Sequence, residues 1–146
     1  MPPRTEAHRA PAALQVVVLE HNDTLRAVLR DSLSSRGLGE VTAFGQMADL
    51  RQHMTQHTPD VLVLDLDLPG MEGLDLCSEL RTRLPDLALM ATSAQLRGDW
   101  RAAALNAGAD HLFAKPVLVT ELVAGIRRVL NRRAVRLPHA AAKTLH

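Results

Sequence analysis

Five polar side chains with the chemistry of phosphate and metal sites follow short apolar runs in this 146-residue chain. Glu20 ends the first run, Asp65 and Asp67 end the third, and Ser93 and Lys115 end the fourth and fifth. Carboxylates are the ligands that Mg²⁺ prefers, and hydroxyl and ammonium groups donate to phosphoryl oxygens. The set therefore predicts a site that handles phosphate together with a metal ion.

Each of these residues also has a simpler structural explanation. An acid shortly before Pro69-Gly70 is common turn chemistry, a lone serine often caps the next helix, and a lysine after a strand is often only solvated. Thr92, directly before Ser93, is an alternative hydroxyl for the same role. Their succession at strand ends favours the functional interpretation.

The elements that must position these side chains alternate regularly along the chain. Apolar runs predict strands at 15–19, 40–44, 61–64, 87–91 and 111–114. Amphipathic segments predict helices from a cap at Asp23 to near Gly37, and at 47–57, 74–84, 99–107 and 120–133. The first helix should bury Leu25, Val28, Leu29 and Leu33 on one side.

Five βα units predict an α/β fold, a doubly wound, five-stranded parallel sheet flanked by five helices. Ligands bind such sheets at the carboxyl ends of the strands, where the polar residues lie. We expect a disordered leader at 1–13, one domain at 14–136, and a tail or the start of a linker at 137–146.

Composition excludes several classes of protein. Aromatic residues are only 2% of the chain, so base-stacking nucleic-acid modules are not expected, and Trp100 is the single tryptophan, on the predicted fourth helix. Cys77 is the only cysteine, which excludes an intramolecular disulfide and fits a reducing cytoplasm. No apolar run approaches the roughly 18 residues of a membrane span. All 16 acidic residues lie at or before Glu121, so the basic end of the chain is typical of a helix terminus or linker.

The segment DVLVLDLDLPGMEG at 60–73 resembles the phosphoacceptor segment of response regulator receiver domains, the CheY-like superfamily. In that family an aspartate ends strand three, with proline four and glycine eight positions later, which corresponds to Asp65, Pro69 and Gly73. The block NAGADHLFAKP at 106–116 is similar to the family's AGAD…KP block. The resemblance covers about residues 14 to 134.

The resemblance implies a phosphotransfer switch rather than an enzyme. A sensor histidine kinase or a phosphotransfer protein would donate a phosphoryl group to Asp65. Mg²⁺ would be held by Glu20, Asp65 and the main-chain carbonyl of Asp67. Lys115 would pair with the phosphoryl oxygens, Ser93 would report their presence, and the Lys115–Pro116 peptide bond would be cis.

One departure from the family lies in the pair of residues that ends strand one. His21 stands where the family has a second acid, which predicts weak affinity for Mg²⁺ because imidazole is a poor ligand for a hard cation. Asp67 is the candidate for a compensating carboxylate, and Asp23 is a more distant one. This departure motivates an alternative function, a pseudo-receiver that binds partners without phosphorylation.

The other departures lie near the fifth strand. Leu112 occupies the position where the family usually has an aromatic residue, and strand alternation turns Phe113 to the other face, as a core residue. The last helix resembles that of receivers attached to winged-helix DNA-binding domains, which often dimerise through helix four, strand five and helix five. Gly125 and His111 replace a common arginine and a frequent acid on that face, and contact with DNA would need an output domain absent from the chain.

A hydrolase is the remaining alternative. The sequence DLD contains the D-x-D motif of haloacid dehalogenase-type phosphatases, in which the first aspartate is the nucleophile and the second a general acid. Two βα units precede Asp65, however, and no aspartate follows Lys115, so the rest of that enzyme's pattern is missing.

Overall fold

A computed structural model describes residues 13–69, 73–95 and 98–145 of the chain, with side chains up to residue 134. Its five strands are β1 (Gln15–Leu19), β2 (Glu40–Phe44), β3 (Val61–Asp65), β4 (Ala88–Ser93) and β5 (His111–Ala114). They form one sheet in the order β2-β1-β3-β4-β5, with every neighbouring pair parallel. The predicted five-stranded parallel sheet is confirmed.

Five helices cover the two faces of the sheet. They are α1 (Asp23–Ser35), α2 (Met47–Met54), α3 (Gly73–Arg83), α4 (Trp100–Ala107) and α5 (Val119–Leu145). Buried residues of α1 and α5 pack in one apolar cluster, and those of α2, α3 and α4 pack in another. The doubly wound architecture is therefore also as predicted.

The alternation of strand side chains explains why both faces are apolar. Along β1 and β3, Val16, Val18, Val61 and Val63 face α1 and α5, while Val17, Leu19, Leu62 and Leu64 face the other layer. Successive side chains of a strand point to opposite faces, so a continuous apolar run serves a sheet that is covered on both sides.

Helix α1 differs from the prediction in two respects. Its N-cap is Asn22 rather than Asp23, because the Asn22 side chain accepts a hydrogen bond from the backbone N–H of Leu25 at 2.8 Å. Val28, expected on the buried side, is 47% exposed, whereas Leu29 and Leu33 are fully buried. The buried stripe of this helix is therefore narrower than its apolar residues indicate.

Other boundaries shift at the ends of α2 and α5. Helix α2 ends at Met54 and not at 57. Helix α5 continues to Leu145, well beyond the predicted end at 133, and the alanine-rich stretch at 140–142 favours such an extension. The leader expected at 1–13 lies almost entirely outside the described residues. None of the described helices combines the length and apolar character needed to cross a membrane.

The sheet brings the polar strand ends to one edge. Asp65 pairs with Thr92 across β3 and β4, and Ser93 pairs with Ala114 across β4 and β5. Lys115 follows directly, and its backbone N–H donates to the carbonyl of Ser93 at 2.9 Å. Parallel strands end at the same edge, so residues far apart in sequence become neighbours there.

Candidate functional site

The acid pocket, which we define as Glu20, His21, Asp65, Asp67 and Lys115, lies at the carboxyl edge of β1, β3 and β5. Asp65 is its centre and is 0% exposed. Its Oδ1 accepts from the Lys115 ammonium at 2.9 Å and from the Asp67 backbone N–H at 2.8 Å. The structure thus brings together Glu20, Asp65 and Lys115, three of the residues predicted from the sequence.

The charges in the pocket fix the ionisation of Asp65. Burial alone would raise its pKa, but hydrogen bonds from Lys115, His21 and the Asp67 N–H outweigh burial and lower the pKa to about 2. Burial would likewise lower the pKa of Lys115, and the two carboxylates of Asp65 and Glu20 raise it instead. At neutral pH the centre of the pocket is therefore a carboxylate beside an ammonium group.

Glu20 is the second buried acid of the pocket. Its Oε1 lies 3.0 Å from Lys115 Nζ as an ion pair without hydrogen-bond alignment, and its Oε2 accepts from the Asn22 backbone N–H at 2.9 Å. Burial raises the pKa of Glu20, and the neighbouring Asp65 adds to that effect. Two acids thus share one lysine, so a further positive charge would be favourable in the pocket.

His21 supplies the contact on the other oxygen of Asp65. Its Nδ1 lies 2.5 Å from Asp65 Oδ2 and 3.4 Å from Glu20 Oε2, and its backbone N–H donates to Asp65 Oδ2 at 3.3 Å. The His21 side chain is 39% exposed, so it covers Asp65 from the solvent side. The residue that replaces the family's second acid therefore occupies the face of Asp65 that a cation would take.

The Asp67 carboxylate does not point to the face of Asp65 that a cation would take. Its Oδ1 accepts from the Ser93 hydroxyl at 2.8 Å, and its Oδ2 accepts from the Ala94 backbone N–H at 2.6 Å. Lys115 Nζ is farther away, at 3.8 Å. The expected compensating carboxylate is thus directed to the end of β4 and binds the hydroxyl predicted to report phosphorylation.

The two candidate hydroxyls have different surroundings. Ser93 Oγ faces Asp67 and accepts hydrogen bonds from the Gln95 backbone N–H at 2.9 Å and from Trp100 Nε1 at 3.1 Å. Thr92 Oγ1 is buried and has no hydrogen-bond partner within the described ranges. Ser93 is therefore the hydroxyl that reaches the acid pocket, through Asp67.

Two residues of the site were not predicted from the sequence. Trp100 lies on the predicted fourth helix, but its bond to Ser93 depends on where the loop after β4 places the start of α4. Arg26 donates to the Glu20 carbonyl at 3.0 Å and to Asp23 at 2.6 Å, which fixes the loop after β1. The sequence signal for Arg26 was its position three residues after Asp23 in the same helix, a spacing at which opposite charges pair.

The donor set of the pocket does not fit the Mg²⁺ expected from the sequence. Ligand atoms of Glu20, His21 and Asp65 lie within 4.8 Å of one another, close enough to surround a cation. Mg²⁺ requires a near-octahedral set of oxygens, however, and one of these three donors is an imidazole nitrogen. Both carboxylate oxygens of Asp67 accept hydrogen bonds at the end of β4, and His21 engages Asp65 Oδ2. As arranged, His21 takes the place of a cation, and the side chains offer Mg²⁺ only the carboxylates of Glu20 and Asp65.

A cleft of about 770 Å³ leads to the pocket from the solvent. Its walls include His21 and Lys115 on the pocket side, the exposed Val28 of α1, and Pro116, whose peptide bond with Lys115 is cis as expected. Asp65 itself does not line the cleft, because it is fully buried beside His21 and Lys115.

The strand order, the buried aspartate at the end of β3 and the lysine at the end of β5 define a CheY-like α/β signalling module. A search against protein families agrees, because the family described as the response regulator receiver domain matches residues 16–127. The chain belongs to this family, whose members serve two-component signal transduction and are signalling modules rather than conventional enzymes. Receiver domains typically bind Mg²⁺ at the acids that correspond to the Glu20 and Asp65 pocket.

Curated relatives from mycobacteria are similar over most of the chain. Response regulator MprA of Mycobacterium ulcerans is 33% identical over 129 residues, which cover 88% of this chain and 55% of that protein. Transcriptional regulatory protein PrrA of Mycobacterium tuberculosis is 34% identical over 119 residues, 82% of this chain and 51% of that protein. The chain spans about half the length of the curated relatives that it matches.

Solved structures show the same fold. A putative response regulator from Chloroflexus aurantiacus has a TM-score of 0.73 at 27% identity and covers 83% of this chain and 99% of its own. A CheY-like receiver domain protein from Methanospirillum hungatei has a TM-score of 0.78 at 19% identity, covering 86% and 99%. The second likeness shows the fold alone.

The departures near β5 have a common packing explanation. Phe113 is buried against α5, as predicted, and a Cβ atom at Gly125 would lie 2.8 Å from its Cζ. Leu112 points to the opposite layer and is fully buried there. The His111 ring contacts that of Phe113, with the centroids 4.5 Å apart and the planes tilted by 58°. An arginine at 125 would have to displace Phe113, so the glycine and the phenylalanine belong together.

Proposed function

We propose that Asp65 accepts a phosphoryl group from the phosphohistidine of a sensor histidine kinase or a phosphotransfer protein. The observation that carries this proposal is the ionised carboxylate of Asp65 with Lys115 Nζ at 2.9 Å in a receiver fold, beside a cleft that His21 and Lys115 line. A nucleophile in a phosphoryl transfer must be charged and held beside a positive group that offsets the charge of the phosphate.

In the proposed step, a carboxylate oxygen of Asp65 attacks the phosphorus atom. The new O–P bond forms as the P–N bond to the donor histidine breaks, and the electron pair of that bond stays on the imidazole nitrogen. Lys115 remains beside the phosphoryl oxygens as they arrive. The protein supplies position and charge, which is what a loose phosphoryl-transfer transition state requires.

Access to Asp65 depends on His21. The carboxylate is completely buried, and His21 Nδ1 covers Oδ2. The imidazole is partly exposed and its backbone lies in the loop between β1 and α1, so the proposed step requires it to turn outward from Asp65. Since the arranged donors do not fit Mg²⁺, binding of that ion by Glu20, Asp65 and Asp67 is not part of the proposed step.

The surface that changes on phosphorylation is proposed to be that of α4, β5 and α5. Ser93 lies between Asp67 in the pocket and Trp100 at the start of α4, so a movement of its hydroxyl reaches that helix. Leu105 on α4 and Leu118 before α5 are exposed apolar residues of this region. Pairing of two copies through this face is one use that the exposed leucines favour.

A pseudo-receiver that works without phosphorylation is the second candidate. The observation in its favour is that both oxygens of Asp65 already have partners, from Lys115, Asp67 and His21. A carboxylate that is fully engaged and buried is also what a purely structural ion cluster would contain.

Intact-protein mass spectrometry after incubation with acetyl phosphate tests the proposal. The wild type and Asp75→Asn, a substitution of an exposed acid on α3, should each gain one phosphoryl group, and Asp65→Asn should gain none. The reaction is run with Mg²⁺ and with EDTA, because the donor set predicts little difference between the two. An unmodified wild type, under conditions that label an ordinary receiver, would favour the pseudo-receiver.

A further inference from the structure

The indole of Trp100 donates a hydrogen bond to the Ser93 hydroxyl, with Nε1 3.1 Å from Oγ. A hydroxyl has one hydrogen to donate and two lone pairs to accept. Ser93 uses all three. It donates to Asp67 Oδ1 at 2.8 Å, with the Gln95 carbonyl as a more distant second acceptor at 3.4 Å, and it accepts from the Gln95 backbone N–H and from Trp100. Trp100 therefore helps to determine where the single hydroxyl hydrogen points.

Trp100 also fixes the start of helix α4. It is the first residue of the helix, and the preceding Asp99 makes no side-chain capping bond. The ring packs against the core cluster that contains Ala91 and Leu112. The bond from the indole to Ser93 is thus a direct tie between the end of β4 and the beginning of α4.

We propose that Trp100 is the positioning residue for the Ser93 hydroxyl and that it couples the occupancy of the acid pocket to the position of α4. The second half of this proposal rests on the proposed function, phosphorylation of Asp65. Leu112 lacks the ring that the family resemblance places at its position, and Trp100 packs against the same cluster from the helix. The aromatic group is therefore supplied by α4 rather than by β5.

The coupling follows from the bonding capacity of Ser93. To bind a phosphoryl oxygen on Asp65, the hydroxyl must turn its hydrogen away from Asp67 Oδ1 and move toward the pocket. A displaced Oγ either loses the bond to Trp100 or draws the start of α4 after it. Both outcomes change the environment of the indole, and by linkage the indole resists the movement of Ser93.

The indole proton of Trp100 tests the positioning without any phosphorylation. In NMR spectra of the ¹⁵N-labelled full chain, this is the only tryptophan side-chain N–H. Ser93→Ala should move its resonance upfield and speed its exchange with solvent by roughly three- to tenfold, because one hydrogen bond is lost. Ser93→Thr keeps the hydroxyl and should keep the wild-type values.

Ser78→Ala is the matched control, since the Ser78 hydroxyl binds the Ala107 carbonyl at the far end of α4. It should leave the indole proton unchanged. Identical indole shifts and exchange rates in the wild type and Ser93→Ala would overturn the positioning, as would a change in Ser78→Ala equal to that in Ser93→Ala.

Phosphorylation then tests the coupling. When mass spectrometry measures the phosphorylated fraction, the indole resonance of the wild type should shift in proportion to that fraction. Trp100→Phe retains a ring but no N–H, and should raise the ratio of phosphorylated to free protein by roughly three- to tenfold at a fixed donor concentration. A complete adduct with an unmoved indole, or an unchanged ratio in Trp100→Phe, would overturn the coupling.

Failure of the proposed function looks different from failure of this inference. A wild type that takes up no phosphoryl group would contradict the proposed function, and the coupling with it. The positioning of Ser93 by Trp100 would still be decided by the indole proton in the unphosphorylated protein.

Discussion

The Nδ1 atom of His21 lies 2.5 Å from Oδ2 of Asp65. With its pKa lowered to about 2, Asp65 is a carboxylate at neutral pH and only accepts hydrogen bonds, so Nδ1 carries the hydrogen of this contact. The imidazole thereby occupies the side of Asp65 that faces Glu20, where a cation would bridge the two acids. A side chain of this protein stands where the rest of the family has a ligand for a metal ion.

Replacement of this imidazole by a carboxylate should create a Mg²⁺ site. We expect His21→Asp to bind Mg²⁺ at least about tenfold more tightly than the wild type, which corresponds to about 1.4 kcal/mol. Without metal the variant should be less stable, because a third acid joins Glu20 and Asp65 around a single lysine. Thermal unfolding over a Mg²⁺ titration measures both effects.

The control for that experiment is His57→Asp, which adds the same charge at an exposed position after α2. Its melting temperature should respond to Mg²⁺ as the wild type does. Equal Mg²⁺ responses in His21→Asp and the wild type would show that His21 does not determine the metal preference of the pocket.

Gly125 should be indispensable only while Phe113 is present. Alanine in a helix interior is normally about 1 kcal/mol better than glycine. Here its Cβ would lie 2.8 Å from Phe113 Cζ in the core, and displacement of a buried ring costs about 1–3 kcal/mol. Gly125→Ala should therefore destabilise the wild type, and the same change in a Phe113→Leu background should stabilise the protein by up to about 1 kcal/mol.

Urea unfolding of the four proteins in this cycle gives the interaction energy directly. Additive effects of the two substitutions would mean that the ring and the glycine are independent of each other.

Asp110 should contribute more to stability than a surface acid does. Its Oδ2 accepts from the Leu89 backbone N–H at 2.8 Å and from Arg81 at 2.9 Å, and its Oδ1 accepts from Arg133 at 3.1 Å. The side chain is 17% exposed, so screening by water is limited. Asp110→Asn should lower the free energy of unfolding by about 2 kcal/mol. The control is Asp31→Asn, which breaks an exposed pair with Arg30 and should lower the free energy of unfolding by less than about 0.5 kcal/mol. Equal losses in the two variants would contradict the larger contribution of Asp110.

Acid should destabilise the wild type partly through Asp65. The pKa of this group is about 2 in the folded protein and near 3.8 in the unfolded chain. Its contribution is therefore complete above about pH 4 and is lost as the pH falls toward 2. In that interval the free energy of unfolding of the wild type should fall more steeply than that of Asp65→Asn, by at most about 1.4 kcal/mol per pH unit. Parallel pH profiles for the two proteins would contradict the ionised, salt-bridged state of Asp65.

The strands and the convergence of Asp65, Glu20 and Lys115 follow from the sequence for a physical reason. Runs such as residues 61–64 (VLVL) are apolar at every position, which only a sheet covered on both faces accommodates. Parallel strands place their carboxyl ends together, so the positions of these side chains follow from the fold. The sequence determines helix ends less well than strands. Asn22 and Asp23 are both good N-caps, and only the backbone geometry distinguishes them.

Side-chain directions at the site were not predictable in the same way. Asp67 turns to Ser93 because a backbone N–H at residue 94, in another loop, is within reach of its carboxylate. The bond between Trp100 and Ser93 depends on the path of the chain between β4 and α4, which no periodicity encodes. The imidazole of His21 was expected to weaken a metal site, but its contact with Asp65 needed the three-dimensional arrangement.

The most direct test of Asp65 as the phosphoryl acceptor is to locate the phosphoryl group chemically. Borohydride reduces an aspartyl phosphate to homoserine with release of phosphate, which marks the modified residue permanently. After incubation with a phosphorylated histidine phosphotransfer protein, peptide mass spectrometry should find homoserine at position 65 and an unmodified Asp67. Homoserine at another acid, or intact aspartate at every position after a donor that labels an ordinary receiver, would contradict the assignment of Asp65 as the phosphoryl acceptor.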